Sequence, residues 1–386
     1  MPPARLPRTP QTRPFFDCFR RCISLAVRTF PILRALVSIA GGVCAAIAAV
    51  ELGLRPFESA NAPPWANIAA DSFGQPSITY RQLEEGVAVS HFSEAGARLT
   101  GNAPISGAPV IALLGDSYVL ATGVGDTETL GSQLERTLRA SGWQLNVRQY
   151  GWNGASPSRY LVAAHTLEQR WHPAAVVIAL SDNDVDDNAL SESAPHIRVR
   201  PDTTIEVLAP IDSNPAPPPP RTSTLKTLLE IRTWRLRFNL GRGSLWGVAQ
   251  AATHEAAPAK ADVNEPELSK SEQLALLPAA TVRSLSATFG PKLSLVYLSA
   301  VPVTGADSAP AVERSLLEAC VREHVRCAST RARMLAAREL GHIAHGFSTT
   351  TPGNGHMNAV GHAIAAHEAW RLLTESRAQL AAVRQH

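Results

Sequence analysis

The sequence predicts an α/β domain built on a doubly wound, mostly parallel sheet, carried behind an N-terminal transmembrane helix. Short continuous apolar runs alternate with helical patterns, as strands buried on both faces do when helices connect them. An apolar run at 35–54 has the length a helix needs to cross a bilayer. Basic residues crowd only one side of that run.

Arg5, Arg8, Arg13, Arg20, Arg21, Arg28 and Arg34 precede the run, and after Arg55 no basic residue follows until Arg81. Residues 1–34 therefore read as a cytoplasmic basic segment, 35–54 as the membrane helix, and the rest as exported. The expected location is a single pass through the inner membrane with a periplasmic C-terminal domain. A cleaved signal peptide competes, since Ala46 and Ala48 could serve a peptidase; the long basic segment favours an uncleaved anchor. Residues 55–104, rich in Pro, Ala, Ser and Gly, read as a tether and entry segment.

The domain then runs over 105–386. Val110–Leu114 is the first strand, and a helix follows near Glu128–Arg139, with Leu130, Leu134 and Leu138 on one face. Leu145 and Val147 open a second strand that ends at Gly151. Ser156 and Pro157 supply an N-cap and a first-turn proline for a helix reaching Trp171. Ala174–Leu180 is the third strand. The alternation breaks over about 190–285, an insertion holding Pro215, Pro217–Pro220, an amphipathic stretch at 225–246 and a polar one at 251–273. Packing of 225–246 on the core is favoured over a substrate cap or a membrane-facing surface. Leu293–Leu298 is a fourth strand, followed by helices near Glu313–His324 and from Ala359 past Trp370.

Composition narrows the function classes. Of 386 residues, 45% are hydrophobic and 18% charged, which excludes a disordered chain. Lys+Arg number 36 against Asp+Glu 33, too slight an excess for a nucleic-acid binder. Five cysteines without a C-x-x-C pair make neither a disulfide scaffold nor a zinc site. Cys320 and Cys327, the only two past the membrane run, are either a disulfide or two buried thiols flanking a helix end. Cys18, Cys22 and Cys44 read as membrane-proximal filler rather than acylation sites.

Gly115-Asp116-Ser117 follows the first strand, Gly151 the second, and Asn183, within Ser181-Asp182-Asn183-Asp184, the third. In an open parallel sheet such positions converge outside the carboxyl ends of the strands. Gly355-His356-Met357-Asn358 stands just before the last helix, where a loop can bring His356 over the same edge. A serine attacking a carbonyl needs a base, which His356 can be. The oxyanion needs fixed donors, which the N–H groups of Ser117 and Gly151 and the Asn183 amide can be.

These blocks resemble the SGNH hydrolases, the GDSL-type esterases and lipases: GDSYVLATGVGD at 115–126, YGWNGASPSRY at 150–160, SDNDVDDN at 181–188 and NGHMNAVGHAIAA at 354–366. The resemblance covers residues 105–190 and 290–375. It implies a three-layer, flavodoxin-like sheet, Ser117 as nucleophile, Gly151 and Asn183 as oxyanion donors and His356 as base. Membrane-anchored chains of this kind act on acyl groups of extracellular polysaccharide, which the resemblance extends to this one as an expectation. Neither cofactor nor metal is expected. Two departures stand out. Ser181 replaces the glycine of the third block, and the acid that orients the histidine is missing, with Asn354 two residues before His356 and no Asp after 307. Asn354 can hold the imidazole tautomer but brings no charge, so slow turnover is expected. Glu339 and the carboxylates at 182–187 are the alternative orienting groups.

Other residues have plainer readings. Asp182, Asp184, Asp186 and Asp187 read as solvated loop carboxylates rather than a metal site. His342, His345, His362 and His367 read as surface or packing residues, and Trp143 and Trp152 as core or rim aromatics, with Trp152 a candidate for the pocket wall. Three functions are expected in order: a serine esterase removing acyl groups, acetyl foremost, through an acyl-Ser117 intermediate; an O-acyltransferase on polysaccharide; and a non-catalytic binding or scaffold protein with a degraded triad.

Overall fold

The computed structural model describes residues 31–54, 79–82, 85–186, 190, 196–208 and 268–375. These fall into two units. The first contributes one helix, α1 (Pro31–Leu54), 24 residues long, whose Leu36, Val37, Ile39, Val43, Ile47 and Val50 are exposed. Among the described residues no helix is long and apolar enough to cross a membrane.

The second unit opens with a hairpin of β1 (Thr79–Gln82) and β2 (Ala88–His91). Five parallel strands follow: β3 (Val110–Gly115), β4 (Asn146–Gly151), β5 (Ala175–Leu180), β8 (Leu293–Tyr297) and β9 (Arg326–Ser329), in the order β4-β3-β5-β8-β9. Numbered along the sheet's own strands this is 2-1-3-4-5, the flavodoxin-like doubly wound order, with its switch point between β3 and β5. Successive side chains alternate between two cores. Ile111, Leu113, Val147, Val177 and Ala179 face α3 (Leu130–Ala140) and α8 (Ala359–Glu375). Ala112, Leu114, Val176, Ile178 and Leu295 face α4 (Pro157–Trp171), α5 (Lys270–Phe289) and α6 (Ala311–Arg322). A short helix α2 (Ser117–Leu120) opens directly off β3, and α7 (Arg331–Glu339) follows β9.

The predicted strands and helices of 110–180 and 293–370 agree with these elements within a few residues. Two expectations change. The tether and entry segment carries structure of its own: β1 and β2 pair within it, and Arg98 pairs with Gln149 of β4 through a bridge. The insertion ends sooner than about 285, because α5 begins at Lys270 behind a capping box of Ser269 and Glu272; within it β6 (His196–Val199) pairs with β7 (Ile205–Leu208) as a separate sheet. The proline cluster at 215–220 and the stretches 225–246 and 251–267 lie outside the described residues, as do Cys18 and Cys22. Cys320 and Cys327 are paired in a disulfide that ties the end of α6 to the edge strand β9.

Candidate active site

The two strands that flank the switch point, β3 and β5, lead to Ser117 and to the turn Asp182–Asp184; β4 ends in Gly151. Parallel register puts Gly151 beside Gly115. A Cβ at Gly151 would lie 2.0 Å from the backbone N of Leu120, so only glycine lets α2 pack against the end of β4. α2 is only four residues long and is held from outside. Arg98, 2% exposed, donates to the carbonyls of Leu120, Ala121 and Val124, each at 2.8 Å, and to Asp126 at 3.0 Å. Burial draws its pKa down to about 10 against the opposing charge and hydrogen bond of Asp126.

His356 Nε2 lies 2.8 Å from Ser117 Oγ, hydrogen-bonded to it. The partner of His356 Nδ1 is Glu85 Oε2, in a short contact, and the His356 backbone N–H donates to Glu85 Oε1 at 2.5 Å. This corrects the expectation for Asn354. That residue is exposed, and its backbone N–H bonds Thr351 O at 3.1 Å. Glu85 stands 271 residues before the histidine, in the turn between β1 and β2. The turn is clamped: Gly86 N–H donates to Thr349 Oγ1 at 2.7 Å. Gly355 has φ +88, and a Cβ there would come 2.1 Å from Glu85 Oε1, so a glycine beside the histidine makes room for the carboxylate. Neither Glu339 nor the 182–186 carboxylates described bond His356.

Electrostatics agree with the geometry. Burial disfavours the charged form of Glu85, but the hydrogen bonds and charge of His356 outweigh it and hold the carboxyl below its ordinary value. Burial likewise pulls the His356 imidazolium down, while the hydrogen bond and charge of Glu85, with the charge of Asp116, push it up and win. Tyr118 fences the imidazole, its ring 5.2 Å from that of His356.

Asn183 Nδ2 donates to Asp116 Oδ2 at 3.0 Å, which leaves one amide hydrogen for an oxyanion. Asp182 and Asp184 are not solvated loop carboxylates, and Asp187 lies outside the described residues. Asp184 is fully buried and takes bonds from Tyr160 Oη at 2.6 Å and Ser181 N–H at 2.7 Å, while Asp182 accepts from Tyr297 Oη. Among the described residues no group of three His, Cys, Asp or Glu side chains is placed to hold a metal ion. Trp152 is 3% exposed and stacks beside Tyr150, so it is core rather than pocket wall; Trp143 packs on the other core. His342 is exposed. His345 and His362 are buried packing residues, drawn by burial and then neighbouring positive charge to about 4 and about 3, so both stay neutral near pH 7.

No family model matches the chain, and no curated protein matches it. Solved structures do. A lipolytic protein of the G-D-S-L family from Veillonella parvula is 13% identical, with 69% of this chain and 99% of that one covered and a TM-score of 0.36. A lipase/acylhydrolase from Enterococcus faecalis is 12% identical over 69% of this chain and 96% of its own, TM-score 0.36. An acetyl xylan esterase from Geobacillus stearothermophilus is 14% identical over 70% and 96%, TM-score 0.34. By name these are esterases and lipases.

Proposed function

We propose that the chain is a serine ester hydrolase of the SGNH type that removes acyl groups, acetyl foremost, from a carbohydrate or other ester outside the cytoplasm. One observation carries the reading: the hydrogen-bonded line from Ser117 Oγ through both nitrogens of His356 to Glu85, at the carboxyl edge of a parallel sheet. Ser117 Oγ attacks the acyl carbon as His356 Nε2 takes its proton, and Glu85 steadies the imidazolium. The carbonyl oxygen gains its negative charge facing Ser117 N–H, Gly151 N–H and Asn183 Nδ2. Collapse breaks the ester bond, and the leaving alkoxide takes the proton from His356. Water then attacks acyl-Ser117 with His356 as base again, which releases the acid and restores the serine. The scaffold reading loses its motive, since it rested on a missing acid and Glu85 can serve as one.

Hydrolase and transferase share the acyl-enzyme, so products separate them. With p-nitrophenyl acetate and a large excess of xylo- or glucooligosaccharide, free acetate is expected as the main product at every acceptor concentration. Acetylated oligosaccharide rising in proportion to acceptor, at the expense of acetate, would favour transfer.

The location is part of the proposal. The arginine asymmetry about 35–54 and the Cys320–Cys327 disulfide support an anchored, extracytoplasmic domain. A reporter active only outside the cytoplasm, fused after residue 60, is expected to be active. High activity of a cytoplasm-only reporter at that junction would reverse the orientation.

A further inference from the structure

Ser181 stands where the resembled pattern has glycine, and its hydroxyl sits among three acceptor oxygens. Asp116 Oδ2 and Asp184 Oδ2 each lie 3.0 Å from Ser181 Oγ, and Asn183 Oδ1 is in short contact with it. A serine hydroxyl has one hydrogen, and an ionised carboxylate only accepts. With both aspartates ionised, two of the three oxygen pairs would have no proton between them, in a site where both aspartates are fully buried. One further proton relieves this: Asp184 donates to Ser181 Oγ, and Ser181 donates onward towards Asp116 and Asn183. The remaining bonds accept this arrangement. The protonated Asp184 Oδ2 keeps a lone pair for Ser181 N–H at 2.7 Å, Asp184 Oδ1 receives Tyr160 Oη, Asp116 Oδ1 receives Tyr118 N–H at 2.9 Å, and Asp116 Oδ2 receives Asn183 Nδ2.

We propose that Ser181 is a positioning residue: its hydroxyl carries a proton held between Asp116 and Asp184, and this unit fixes the Asn183 amide with Nδ2 towards the oxyanion. The groups that act on the pair from neighbouring elements are Tyr160 from α4, Tyr118 from α2 and His356 across the site, while Glu85 and Asp182 face Tyr118 beside it. Of these groups, His356 is the one that can bring positive charge. Burial, and then the charge of Asp116, drive the Asp184 carboxyl well above the ordinary range, in keeping with a retained proton. An Asn amide can turn end for end; here Asp116 takes the nitrogen and Ser181 meets the oxygen, which fixes its sense. Glycine at 181 would leave the oxygen without that partner and the two carboxyls without a bridge.

The role in turnover rests on the esterase reading; the shared proton does not. In the purified protein, Ser181→Ala and Ser181→Gly are expected to lower kcat on p-nitrophenyl acetate about tenfold with KM unchanged, a fraction of the roughly 10²–10³ that loss of an oxyanion donor costs. In an Asn183→Ala background the same change is expected to cost less than about twofold, because the group it aims has gone. An infrared difference spectrum at pH 7 between wild type and Asp184→Asn is expected to contain the C=O stretch of a protonated carboxylic acid, lost in the variant. Wild-type kcat in both Ser181 variants, or a tenfold loss that persists without Asn183, would overturn the positioning role. No protonated-acid band would overturn the shared proton. A wild-type protein with no turnover would sink the esterase reading instead, and the infrared result would still decide the proton.

Discussion

Replacing Ser117 with alanine is expected to lower turnover of short p-nitrophenyl esters by about 10⁶, the scale seen when a serine nucleophile is removed from subtilisin. Covalent labelling by a fluorophosphonate should vanish with it. The fold should be untouched: Ser117 is half-buried, its hydroxyl meets His356 alone among the described residues, and that nitrogen can turn to water. No buried partner is stranded, which is the usual source of a large stability loss. The thermal midpoint is therefore expected to match wild type. Any residual rate above the uncatalysed one comes from the oxyanion donors, which the substitution leaves in place. Wild-type turnover in the variant, or undiminished labelling, would remove Ser117 from the chemistry.

The legible parts of the chain are those whose physics is local. β3, β5 and β8 are short apolar runs buried on both faces, and they stand out because few other environments suit such runs. Ser117, Gly151, Asn183 and His356 are legible because each sits at the end of an element that the pattern already reveals. β9, Arg-Cys-Ala-Ser, is a half-buried edge strand with little apolar signal, and it escapes notice. α5 escapes because Pro278 interrupts its pattern, although its capping box at Ser269 and Glu272 is visible once sought. Asp184 looks solvated in sequence because four acids cluster there; only the fold sets Tyr160 against it in the interior. Glu85 carried no signal of its own. Its partner is 271 residues away, and the resemblance directs attention to the two or three residues before the histidine. The absence of any Asp after 307 says that the acid is elsewhere, without saying where.

Glu85→Gln is the sharper test, because it separates the geometry of this site from the one expected around Asn354. Glutamine keeps the size of Glu85 but presents an amide to His356 Nδ1. An N–H2 turned to that nitrogen holds the imidazole in the wrong tautomer, and no charge remains for the imidazolium formed during attack. In the serine-protease case the same acid-to-amide change lowers kcat about 10⁴, and a loss of about that order is expected here. The pH profile must shift as well. His356 accepts a proton only when neutral, so wild-type activity falls as pH drops through its raised pKa. Without Glu85 the chief causes of that elevation are gone, while burial still pulls the other way, so the acid limb of the variant moves to lower pH. The deficit is therefore greatest on the alkaline plateau and narrows below the wild-type limb. Asn354→Asp is the control. An exposed side chain that does not touch His356 should leave kcat within about twofold, since charges in water couple weakly. A plateau that survives Glu85→Gln, or a kcat that climbs severalfold in Asn354→Asp, would return the orienting role to Asn354.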